Sequence, residues 1–193
     1  MKKIVAVYGS PRRGGNTATL LDQAVKGATD AGAEVERVAL RGLKISPCLE
    51  IYKCKETGEC VIRDDFQEIQ DKILAAGGLM LASPIFFGAF CAQTKAFIDR
   101  FQSLWVKKHW IDNIPLGTSL CTRKGLLISV GATKGAKLFD GALLTTRYFF
   151  NVLDMELWGS LLYRELDSAD DAAGRPEHLR ECYETGRELA EAL

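Results

Sequence analysis

Nine consecutive residues near the start of this chain, Gly9-Ser10-Pro11-Arg12-Arg13-Gly14-Gly15-Asn16-Thr17, carry groups that could hold an anion. Ser10 and Thr17 offer hydroxyls, Asn16 an amide and Arg12 a permanent charge, and Gly14 and Gly15 allow close approach to the main chain. A helix opening at Asn16-Thr17 would add free N–H groups and the positive end of its dipole, and both favour phosphate. The same residues also suit a plain strand–helix turn with Asn16 as N-cap. Strand, glycines and helix start coincide here, which favours the phosphate reading. There is no Gly-Lys-Ser/Thr and no Gly-x-Gly-x-x-Gly in the segment, so neither a Walker loop nor a dinucleotide fingerprint is present. A loop of this kind suits one terminal phosphate, and so a mononucleotide, better than a bridging pyrophosphate.

Two further segments could meet a flat ligand. Ser83-Pro84-Ile85-Phe86-Phe87-Gly88 sets an aromatic pair beside a glycine, as a ring-binding loop or a hydrophobic turn would. Gly131-Ala132-Thr133 closes another apolar run. Trp105, Trp110 and Tyr148 could cover a ring or meet a partner, or be core and surface aromatics. Cys48, Cys54 and Cys60 are spaced like metal ligands, whereas Cys91, Cys121 and Cys182 are scattered. Three thiols could join a histidine at zinc, but His109 and His178 are distant in sequence, and plain thiols in a loop are the expectation.

These segments need elements to position them, and apolar runs alternate with helical patterns along the whole chain. Ile4 to Tyr8, Glu34 to Leu40, Leu79 to Ala82, Leu126 to Val130 and Glu156 to Tyr163 read as strands. Leu20, Leu21, Ala24, Val25 and Ala28 share one helical face. Asp65 can open a helix with Phe66, Ile69, Ile73 and Leu74 inward; residues 92 to 105, 137 to 153 and a stretch after Pro176 complete the helices. Residues 41 to 64 read as a long irregular loop, residues 106 to 123 fit no pattern, and residues 167 to 175 are a polar loop. The order predicts an α/β doubly wound, five-stranded parallel sheet with helices on both faces, built as one domain over residues 1–193. Any ligand then belongs at the strands' carboxyl ends, after Tyr8, Ala82 and Val130.

Lys+Arg and Asp+Glu are both 25, which favours neither nucleic acid nor an anionic membrane and does little to oppose self-association. Two lysines precede an apolar run only five residues long, too short for a secretory core or a membrane span, so a cytoplasmic protein is expected.

The pairing of Gly-Ser-Pro-Arg-x-x-x-Asn-Thr after strand one with Ser-Pro-Ile-Phe-Phe-Gly after strand three resembles the NADPH-dependent FMN reductase and iron–sulfur flavoprotein families, which are flavodoxin-like. The resemblance implies FMN, with its phosphate on Ser10, Arg12, Asn16 and Thr17. It assigns the isoalloxazine to Pro84, Ile85, Phe86, Phe87 and Gly88, with Gly131, Ala132 and Thr133 on its other side. It also implies a homodimer or homotetramer with the flavin near the interface. The iron–sulfur relatives bind a four-iron cluster through a compact four-cysteine motif in this same loop, and matching Pro47-Cys48 and Thr57-Gly58-Glu59-Cys60 to it puts Ile51 where one cysteine would stand. Three of four thiolates remain, so no cluster and no metal are expected. No Ser-His-Asp array is apparent, which fits a protein whose cofactor carries the chemistry. The expected activity is ping-pong electron transfer from NAD(P)H to a quinone, a nitro or azo compound, free flavin, a metal ion or a redox protein. The alternative is a flavodoxin-like electron carrier. Arg100, Lys107, Lys108 and Arg123 could receive the nicotinamide nucleotide's phosphates or stand as solvated charges.

Overall fold

A computed structural model of the protein describes residues 2–118 and 120–193. Its strands are β1 (Lys3–Tyr8), β2 (Glu34–Ala39), β3 (Gly78–Phe86), β4 (Ala89–Phe90), β5 (Arg123–Val130) and β6 (Met155–Tyr163). Five run parallel in the order β2-β1-β3-β5-β6, and the short β4 pairs antiparallel with β3. The chain leaves β1 to one side for β2 and returns on the other for β3, so the switch point, where such sheets open a crevice, lies between β1 and β3.

The helices are α1 (Asn16–Asp30), α2 (Cys54–Thr57), α3 (Phe66–Ala75), α4 (Ala92–Asp99), α5 (Gln102–Val106), α6 (Asp140–Val152) and α7 (Pro176–Glu191). Alternation along the strands divides the core between two faces. Val5, Val7, Leu79, Leu81 and Leu127 face one way, against Phe66, Phe97, Phe101 and Phe149 of the α3–α6 layer. Ile4, Ala6, Met80, Ala82, Leu126 and Ile128 face the other, against Leu20, Leu21, Ala24 and Leu189 of α1 and α7. Phe101 meets Phe66 and Phe149 edge-on at 4.9 Å between centroids, the favoured geometry for buried rings. α1 and α7 touch through glycines: a Cβ on Gly27 would strike the Tyr183 carbonyl, and one on Gly186 the Ala24 carbonyl.

Several local expectations are corrected. β3 runs on through Ser83 to Phe86 and folds back as a hairpin, because Phe87 and Gly88 both adopt positive φ (52° and 74°) and form a tight turn. The stretch 92–105 is two helices, α4 and α5, followed by a π-helical turn over Lys107–Ile111. α6 begins at Asp140, three residues later than the pattern suggests. The first N–H of α3 is capped by Asp64, which accepts from Phe66 N at 3.0 Å, while the Asp65 side chain accepts from Lys44 N. Leu74 is exposed, since α3 turns its last residues to solvent. No described helix is long and apolar enough to cross a membrane.

Candidate functional site

The loop after β1 is held from below at one atom. Gly9 O accepts from Cys91 Sγ at 3.0 Å, Gln93 Nε2 at 2.8 Å and Thr94 Oγ1 at 3.0 Å, and Gly9 N donates to Ala82 O at 2.7 Å. A side chain at Gly9 would collide with the Thr94 hydroxyl and come within 2.8 Å of Ala82 O, so the close approach of β1 to the start of α4 requires glycine. Arg12 N then donates to Ser10 Oγ at 3.1 Å and bends the loop toward α1.

α1 starts on Gly15, and no side chain caps its first turn. Asn16 is not an N-cap. Its amide donates to Ser168 O at 2.8 Å and accepts from Ala172 N at 2.9 Å, so it clasps the loop after β6. Those bonds use the amide oxygen and one of its two N–H donors, and Asn16 still lines the cavity described below. Thr17 is 2% exposed, and its hydroxyl makes no hydrogen bond among the described residues. Tyr8, at the end of β1, donates to Asp22 at 2.7 Å; burial and that bond push its ionisation well above the usual tyrosine range, so it stays neutral.

A cavity of about 120 Å³ opens above this loop at the carboxyl ends of β1, β3 and β5. It gathers Ser10, Arg12, Asn16 and Thr17 with Pro84, Ile85 and Phe86 and with Gly131 and Ala132. Phe87, Gly88 and Thr133 lie outside it: Phe87 stands fully exposed at the hairpin tip, and Thr133 is exposed beyond β5. The buried Ser129 hydroxyl donates to Ser83 O at 2.7 Å and fixes β3 against β5 where they meet the cavity. Sequence reasoning missed Leu166 and Asp167, which form a wall beside Gly131; Leu166 N donates to Gly131 O at 3.3 Å. The polar stretch after the last strand held the signal, since the carboxyl-end rule applies to β6 as much as to β1.

The cysteine loop lies elsewhere. Cys48, Cys54 and Cys60 line a separate cavity of about 310 Å³ with Ile51, Tyr52, Trp105 and Trp110. Burial is the main cause that raises the Cys54 thiol's pKa, and the neighbouring Cys48 and Cys60 add to it, so the neutral thiol is favoured. Among the described residues, no three Cys, His, Asp or Glu side chains come together as a metal site. Arg100 closes the neck of this loop. It is 1% exposed and donates to Ser46 O at 3.0 Å, Ile62 O at 2.8 Å and Asp64 at 2.6 Å. Burial opposes ionisation of Asp64, but the bonds from Arg100, Ser46 N and Phe66 N outweigh it and hold its pKa below the usual value.

The cations considered for nucleotide phosphates are thus already engaged. Lys108 pairs with Asp154 at 2.7 Å, and Lys107 with Asp112 at 2.7 Å. Arg123 donates to the carbonyls of Ile73, Leu74 and Leu153. With Arg100, Lys108 and Arg123 brace the fold, whereas Lys107 is held only in an exposed local pair.

Residues 2–155 match the family described as NADPH-dependent FMN reductase. This chain belongs to that family. Among its relatives, an iron–sulfur flavoprotein of Methanocaldococcus jannaschii is 35% identical over 132 residues, covering 68% of this chain and 63% of the relative. An iron–sulfur flavoprotein of Methanosarcina thermophila is 33% identical over 132 residues, covering 68% and 64%. The chain thus spans less than two thirds of these relatives' length. The reductase-family fold recurs in a solved NAD(P)H:quinone oxidoreductase from Methanothermobacter marburgensis, with a TM-score of 0.69 at 16% identity over 97% of this chain and 96% of that one.

Proposed function

We propose that this chain is an FMN-dependent oxidoreductase that passes electrons from NAD(P)H to an acceptor such as a quinone, a nitro or azo compound, free flavin or a redox protein. The observation that carries this reading is the uncapped start of α1 beneath the cavity, with Thr17, whose hydroxyl makes no hydrogen bond among the described residues, and Arg12 lining it. Orphan N–H groups, a free hydroxyl and a cation are the donor set a phosphate monoester needs. The family match supports FMN over other phosphates.

In this reading Ser10, Arg12, Asn16 and Thr17 hold the phosphate. Pro84, Ile85 and Phe86 lie along one side of the ring and Gly131 and Ala132 along the other; the exposed Phe87, Gly88 and Thr133 complete the ring site only if the hairpin tip or a second subunit closes over it. Bound FMN would supply the electron-accepting chemistry. The protein binds, orients and partly dries it, and no side chain needs to move a proton. The site residues fold as one domain over residues 1–193, working in the cytoplasm, where free thiols are the stable form of the cysteines. Exposed Phe86 and Phe87 on the hairpin and Leu144 and Tyr148 on α6 support assembly into a homodimer or homotetramer. The same reading leaves the cysteine loop without an iron–sulfur cluster, because its donors are three thiols and Ile51.

Anaerobic mixing of the yellow protein with NADPH or NADH tests the activity. Rapid bleaching of the flavin absorbance is expected. No bleaching with either nucleotide, but reduction by reduced ferredoxin, would replace the enzyme with an electron carrier.

A further inference from the structure

On the β2 flank of the phosphate loop is a second, smaller cavity of about 50 Å³, walled by Tyr8, Ser10, Arg12, Arg13, Thr17 and Arg41. It shares Ser10, Arg12 and Thr17 with the larger cavity, so the loop separates the two. Three arginines, all exposed to solvent, line a space too small for a ring. None of them pairs with a carboxylate or donates to a carbonyl among the described residues. The nearby carboxylate of Asp22 is already taken by the Tyr8 hydroxyl at 2.7 Å and by Arg37 at 3.1 Å.

That concentration of charge exceeds what FMN requires. Its phosphate dianion is matched by Arg12 and the helix start, which leaves Arg13 and Arg41 unassigned. The other cations considered for a second nucleotide, Arg100, Lys107, Lys108 and Arg123, are bound to Asp64, Asp112, Asp154 and backbone carbonyls. Arg12, Arg13 and Arg41, by contrast, line one pocket with no ion pair among the described residues.

Building on the flavin reading above, we propose that Arg13 and Arg41 form a second phosphate site whose ligand is the 2′-phosphate of NADPH, so that this pocket selects NADPH over NADH. The two nucleotides differ only in that phosphate monoester, and two planar guanidinium forks recognise such a group bidentately.

Two measurements test it. The first is calorimetric binding of adenosine 2′,5′-bisphosphate, 5′-AMP and inorganic phosphate to the purified protein, with no turnover needed. The bisphosphate should bind tightest, and Arg41→Ala should weaken it at least about tenfold, the low end for one charge-assisted bond. 5′-AMP should bind weakly and equally to both proteins. Equal binding of bisphosphate and 5′-AMP overturns the proposal, as does inorganic phosphate binding as tightly as the bisphosphate. The second is steady-state kinetics of the FMN-loaded protein. Arg41→Ala and Arg13→Ala should raise KM for NADPH by the same factor and leave KM for NADH and FMN affinity unmoved, with Arg41→Lys intermediate. Weakened FMN binding at an unchanged NADPH/NADH ratio would assign these arginines to the flavin and sink the inference. Failure of the wild-type protein to take up FMN at all would instead refute the flavin reading, and the calorimetry would still decide the pocket.

Discussion

At the scale of single residues, Thr17 is the sharpest probe of the cavity. Thr17 lines the cavity, and its hydroxyl makes no hydrogen bond among the described residues, so its removal breaks no bond within the protein. Thr17→Val keeps the shape and removes the oxygen. It is expected to weaken FMN binding roughly tenfold while leaving the melting temperature equal or higher, read by flavin-fluorescence titration and thermal melts. Gly9 tests the floor of the loop. Gly9→Ala forces a methyl into Thr94 and the Ala82 carbonyl, so flavin binding and stability should fall together. The two residues were not equally legible. Thr17 follows from a helix start beside glycines, a pattern within a few positions. The three hydrogen bonds to Gly9 O come from Cys91, Gln93 and Thr94, more than eighty positions away, and no local pattern announces them. The partners of the Asn16 amide, Ser168 and Ala172, likewise arrive from the other end of the chain.

Elements show the same division between local and distant causes. The parallel strands and α1 were legible because two-residue and 3.6-residue periods are properties of the segment itself. The β3–β4 hairpin was not, because Pro84 in a strand reads as a terminator, and only the pairing of Ile85 with Phe90 extends it. The contact of α1 with α7 makes a clear prediction. Gly27 and Gly186 permit backbone approach, and no rotamer can relieve a clash with a carbonyl. Gly186→Ala should destabilise by about 2 kcal/mol or more despite its better helix propensity, as a denaturant series would report.

The neck of the cysteine loop gives a pH prediction. Asp64 has a lowered pKa in the folded state, so its contribution is full above the unfolded carboxyl value, about 4. That contribution is lost as pH falls through the lower folded value. Asp64→Asn should cost about 3 kcal/mol at neutral pH, because Arg100 is left buried without its counter-ion. The variant should also lose less stability than wild type between neutral and acid pH, measured as denaturation midpoints across pH.

For the whole molecule, the cavity at the strands' carboxyl ends, proposed for the flavin, and the cysteine cavity share no residues, so one can be altered while the other stays. Anaerobic incubation with ferrous iron and sulfide should leave wild type without stoichiometric cluster iron, whereas Ile51→Cys restores the missing thiol and should retain it, with FMN content unchanged in both. Cluster assembly in wild type would show that three thiols suffice. The sheet, read from alternation, and the carboxyl-end rule together pointed from sequence to the end of the sheet where the smaller of these two cavities lies. The large aromatic cavity stayed hidden, because Trp105 and Trp110 reach Cys48 only through the tertiary fold.

Arg100 gives the cysteine loop a mechanical independence. One buried side chain ties Ser46, Ile62 and Asp64 together, so the segment between them is fastened at its base like a cassette. Substitutions between positions 47 and 61 should therefore leave the sheet beneath in register, which makes this segment the natural place to graft new side chains onto the fold.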